Sequence, residues 1–152
     1  MAELRSSLTK NSRDGRAFPV SNLYAWHVNE DAGVARAEAR AKLFVRGMLE
    51  DWYISPFLEP AECAIVEEHF AAFAAAYVNN SPVVEGVSDA LVDKLVDNLT
   101  WTGTPGDIDG FVAEMLAFRD AGVTELAVRL YAQPELSMRM LAERVMPMLR
   151  SD

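Results

Sequence analysis

The sequence is short of the residues on which most site chemistry depends. It holds one cysteine, Cys63, and two histidines, His27 and His69. A single cysteine excludes an internal disulfide and a cysteine-rich zinc site. On an apolar helix Cys63 reads as a packing residue rather than a nucleophile. His69 follows Glu68 and stands six positions after Cys63, which is no metal-ligand spacing, so no metal is expected. Basic residues are also scarce: 14 Lys and Arg against 23 Asp and Glu give a net charge of -9. That balance argues against nucleic acid and anionic membrane surfaces as partners, because both require a basic patch. Neither a Walker pattern nor Gly-x-Gly-x-x-Gly occurs, so no glycine loop cradles a phosphate, and no Ser-His-Asp set stands out. No run approaches the ~18 consecutive apolar residues of a membrane span. The opening residues contain no apolar core of signal-peptide length, and the expectation is a cytoplasmic protein.

The chain does contain ordinary material for one globular core, with 51% hydrophobic and 24% charged residues. Residues 1–18 form a polar lead-in of mixed charge, and residues 19–152 read as a single domain. "PVSNLYAWHV" alternates as a first strand, with Val20, Leu23, Ala25 and Val28 among aromatics. A helix is expected over Ala32–Glu50, with Arg36, Glu38 and Arg40 on a solvated face. A second long helix is expected over Pro60–Val78, and a third, capped by Ser88, carries Leu91, Val92, Leu95, Val96 and Leu99.

The clearest segment is "GTPGDIDGFVAEMLAFRDAGVTELAVRLYAQP". Thr104 suits a helix cap, Pro105 the first helical position, and Asp107 completes a capping-box-like pattern. Ile108, Phe111, Val112, Met115, Leu116 and Phe118 then form an apolar stripe, and Gly122 suits a left-handed helix terminus. "LAVRLY" follows as a buried strand, and a closing helix from Pro134 carries Leu136, Met140, Leu141, Val145, Met148 and Leu149. The expected fold class is therefore α/β, predominantly helical, with about two parallel strands. Two strands alone make a marginal sheet, so something must complete it.

"NLYAWHVNEDAGVARAEAR", "LVDNLTWTGTPGDIDGFVAEMLAFRDAGVTELAVRLY" and "PELSMRMLAERVMPMLR" together resemble the C-terminal portion of the bacterial luciferase-like monooxygenases, including their deazaflavin-dependent reductases. These stretches resemble a late strand with its Ala/Arg/Glu-rich helix, the penultimate helix with the last barrel strand, and the closing helix. The resemblance implies a C-terminal fragment of a (β/α)8 TIM barrel whose other strands lie in an N-terminal half. It also implies that FMN or deazaflavin in the full-length parent is held mainly by that half. The isolated chain is then an inactive piece of a flavin-dependent oxidoreductase, binding no cofactor itself. Its expected partner is either the missing half or a second copy in a homodimer. The alternative is a non-catalytic helical self-association module.

Site candidates follow from position. His27 lies near the C-terminal end of the first strand, where barrel enzymes place site residues, and is either catalytic or a hydrogen-bonded strand-end histidine. Arg129 and Tyr131 lie at the end of the last strand as cofactor-binding candidates, with a carboxylate partner as the plain alternative for Arg129. Trp52, Tyr53 and Phe57 of "DWYISPF" fall in a region that walls the substrate pocket in the enzymes this chain resembles, or else they anchor helix packing.

Overall fold

The computed structural model describes residues 2–14, 18–45 and 49–150. It is an α/β protein, mostly helical, around a small parallel sheet. The sheet has three strands rather than two: β1 (Ser21–Val28), β2 (Thr100–Gly103) and β3 (Glu125–Leu130), in the order β2-β1-β3. All pairings are parallel. Trp26 stands opposite both Trp101 of β2 and Leu130 of β3. The additional strand, β2, has only four residues, too few to show a period of two, and it exists by pairing with Ala25–Val28.

Strand β1 is central because both of its faces are covered. Tyr24, Trp26 and Val28 point to one side, where they join Trp101 and the buried Ile108, Val112 and Met115 of helix α7 (Ile108–Asp120). Ala25 and His27 point to the other side, where His27 meets Glu38 of helix α2 (Ala32–Lys42). An isolated wall of a singly wound barrel would leave its inner face bare, whereas here helices cover both faces.

Helix α2 begins at Asp31, whose carboxylate accepts the Gly33 and Val34 amides. It ends eight residues earlier than expected, passing into a 3-10 turn at Leu43–Val45; Leu49 then takes a positive φ of 51°. The rest of the expected helix, residues 46–48, lies outside the described residues. Its charged face is half-buried rather than freely solvated. Arg40 forks onto Asp93 and reaches Asp89, while Arg36 pairs with Asp93 and Asp97. These carboxylates belong to helix α6 (Asp89–Leu99), which Ser88 caps as expected and whose Leu91, Val92, Leu95, Val96 and Leu99 are all buried. The small Ala35 and Ala39 let α2 approach its neighbours closely, and that proximity turns its long side chains into bridges.

The expected long helix over Pro60–Val78 is two helices, α4 (Pro60–Glu68) and α5 (Phe70–Asn79), separated at His69. A short α3 (Asp51–Ile54) precedes them, and α1 (Ala2–Lys10) gives part of the lead-in a helix with Leu8 buried. At the break the His69 ring places its Nδ1 3.0 Å from the Ile65 carbonyl oxygen. It lies so close to Gly86, whose φ is +77°, that a Cβ there would fall 2.5 Å from His69 Nε2. Helices α2 to α6 enclose a second core around Leu43, Val66, Phe73, Val92, Leu95 and Val96.

The Thr104 cap forms a tighter structure than a simple helix start. Asp107 accepts the Thr104 amide at 2.7 Å and its hydroxyl at 2.8 Å across a 3-10 turn, Pro105–Asp107, that leads into α7. The Thr104 amide, then its hydroxyl, hold the Asp107 carboxyl below its ordinary range. Gly103 leaves room for it, since a Cβ there would stand 2.6 Å from Asp107 Oδ2 and displace the carboxylate. Thr104→Ala is expected to cost about 1 kcal/mol, read as a lowered midpoint in urea unfolding with an unchanged slope.

Gly122 takes the left-handed conformation expected of it, with φ 98°. Strand β3 departs from expectation, because none of Glu125–Leu130 is buried; exposed and half-buried residues alternate along it. It is an edge strand, with β1 on one side only. The closing helix divides into α8 (Pro134–Met140), a π-helical turn (Leu141–Val145) and α9 (Met146–Arg150), with Met140 and Val145 packed toward Trp26 and Trp101.

Candidate functional site

The carboxyl ends of β1 and β3 converge on one carboxylate. Glu38, two turns into α2, accepts from His27 Nδ1 at 2.6 Å with one oxygen and from the Ala132 amide at 2.8 Å with the other. Burial pushes the Glu38 carboxyl up, but the His27 hydrogen bond, the Ala132 amide and the nearby Lys42 charge together hold it below its ordinary value. Glu38 therefore fastens the C-terminal end of β1 to the loop after β3, and it fixes the orientation of the imidazole.

His27 itself is sealed. Its side chain has 0% exposure, against 19% for that of Glu38. The Tyr131 ring stacks on it with centroids 4.9 Å apart and planes 14° from parallel. Among the described residues, His27 Nε2 has no hydrogen-bond partner. A carboxylate-oriented imidazole is the chemistry of a general base, but a wholly buried ring has no path to a substrate in this arrangement.

Tyr131 carries cations on its rim. The Arg129 guanidinium carbon lies 5.1 Å and Lys42 Nζ 6.0 Å from its ring centroid. Neither forms an ion pair among the described residues, so the carboxylate partner expected as the plain role of Arg129 is replaced by a ring. Lys42, Glu38, Tyr131, Asn80 and Pro82 border an open cleft of about 610 Å³. Sequence reasoning singled out His27, Arg129 and Tyr131, and the structure brings all three together. It missed Glu38 and Lys42, which read as ordinary residues of an Ala/Arg/Glu-rich helix.

The "DWYISPF" aromatics fall elsewhere. Phe57 borders a separate cleft of about 1120 Å³, together with Leu49, Pro60, Cys63 and Phe70, and none of its lining residues comes from the sheet. Tyr53 and Phe57 pack against the helical core, while Trp52 is 70% exposed and rests edge-on against Tyr53. Cys63 also faces this cleft. Burial, then the Asp51 carboxylate, push its thiol up, which works against a thiolate nucleophile. Among the described residues no three His, Cys, Asp or Glu side chains gather as a metal site, and no helix is long and apolar enough to cross a membrane. No family model matches this chain, and neither a curated protein nor a solved structure matches it.

Proposed function

We propose that this chain is a non-catalytic α/β segment, similar to the C-terminal portion of luciferase-like monooxygenases and reductases, whose sheet is completed by another polypeptide. The observation that carries this reading is the mismatch in β3. "LAVRL" has the composition of a strand covered on both faces and paired on both edges, yet it lies open along one edge with no buried residue. The barrel-fragment reading draws on the parallel pairing of β1 with β3 alone, because the order β2-β1-β3 departs from the sequential strand order of a singly wound barrel. Strand β2 then occupies the side of β1 that a preceding barrel strand would take, and the helices fold over both faces in place of an opposite wall.

On this reading FMN and deazaflavin belong to a parent enzyme and not to this chain, since the best-placed base, His27, is buried under Tyr131. A flavin titration followed by fluorescence quenching is expected to show no saturable one-to-one binding of FMN. A second reading, an anion-binding rim that takes a flavin phosphate, is favoured by Arg129 and Lys42 around Tyr131. The same titration separates the two: stoichiometric binding abolished by Arg129→Ala would establish the rim and overturn the non-catalytic reading.

A further inference from the structure

The open edge of β3 is self-complementary. Glu125 donates its amide to Val20 O at 3.1 Å, so the backbone groups of Glu125, Ala127 and Arg129 face β1. By the alternation of strand backbones, the amides and carbonyls of Leu126, Val128 and Leu130 face the unpaired side. The same alternation divides the side chains: Glu125, Ala127 and Arg129 are exposed on one face. Leu126, Val128 and Leu130 are half-buried on the other, against the core of Trp26, Trp101 and α7. The segment thus reads acidic, apolar, small, apolar, basic about Ala127.

We infer that the partner at this edge is a second copy of the chain, joined by antiparallel pairing of β3 with itself about Ala127. A two-fold axis makes identical strands run antiparallel and places each residue opposite its mirror position. In that register Leu126 and Val128 of one protomer exchange N–H to C=O hydrogen bonds with Val128 and Leu126 of the other. Ala127 meets Ala127 on the axis. Glu125 faces Arg129 twice, in the non-hydrogen-bonded pairs where cross-strand side chains come closest. The two sheets become one of six strands, and the Leu126 and Val128 side chains extend one core into the other. Charge decides against the alternative register: moving the pairing by two residues breaks both Glu–Arg pairs. The inference rests on the reading above that another chain completes the sheet at β3.

The test is a charge-swap series by sedimentation velocity. The wild-type chain is expected to dimerise, and Arg129→Glu and Glu125→Arg are each expected to weaken the dimer roughly tenfold or more, because each sets like charges opposite one another twice. An equimolar mixture of the two variants is expected to recover dimers, since two positive positions of one chain then face two negative positions of the other. No role of either residue within its own protomer would produce that recovery. A monomeric wild type, or a dimer indifferent to both substitutions, overturns the inference and leaves the cofactor-free reading to be decided by the flavin titration.

Discussion

Trp101→Ala is expected to destabilise the protein by about 3–5 kcal/mol, the range for emptying a buried Trp site, and to lower the melting temperature on the order of 10 °C. Trp101 is 1% exposed and stands in β2, the strand that pairs along the C-terminal half of β1. Its ring lies 4.4 Å from that of Tyr24 and 6.5 Å from those of Trp26 and Phe118. One substitution therefore removes the centre of an aromatic cluster that holds α7 on the sheet. Its Nε1 donates to Glu114 at 2.7 Å, and Glu114 is exposed, so the carboxylate regains water and the loss is chiefly that of packing. Trp101→Phe keeps most of the volume and is expected to cost less than half as much. A loss below about 1 kcal/mol for the alanine variant would show that β2 does not join this core.

Glu38→Ala is expected to cost about 2–3 kcal/mol, because it strands the buried His27 Nδ1, whereas the exposed Ala132 amide regains water. Glu38→Gln keeps one acceptor oxygen where Glu38 uses two, so it retains the Ala132 or the His27 Nδ1 hydrogen bond but not both, and is expected to cost about 1–2 kcal/mol. The two variants also differ from the wild type in acid. A carboxyl held below its ordinary value when folded contributes stability that is complete above the unfolded pKa, about 4.3, and is lost as pH falls through the folded one. Asp93 adds to the same acid-side slope, since the Arg40 hydrogen bond holds it low. Urea unfolding between neutral pH and acid is therefore expected to show the wild-type advantage over Glu38→Gln shrinking as pH drops below about 4. An advantage that does not change with pH would place the Glu38 contribution in shape rather than charge.

Legibility in the sequence followed the range of the forces involved. The Thr104 turn, the Ser88 cap, the stripe of α6 and the left-handed Gly122 were all readable, because each is set by residues within a few positions. Two parallel strands were also expected, and β1 and β3 are parallel, but their direct pairing was not readable from the sequence. What could not be read depended on distant partners. Strand β2 carries no period of its own in four residues, and no Gly or Pro near His69 marks the break between α4 and α5. Glu38 looked like one charge among several on a solvated helix until β1 and the Ala132 loop arrived on the same side. Strand β3 erred in the opposite direction, its composition promising a covered strand that one protomer does not provide.

That last discrepancy joins the open edge, the sealed histidine and the self-complementary strand into one account. On the proposed reading the apolar, charge-matched edge of the sheet takes a second copy, and His27, buried beneath Tyr131, ties the sheet to α2 through the partly exposed Glu38. Native mass spectrometry of the purified, intact chain tests this most directly, because one spectrum reports both the number of copies and any bound cofactor. The account predicts a species of twice 16.8 kDa with no added flavin mass. A single-chain species carrying one flavin would contradict it.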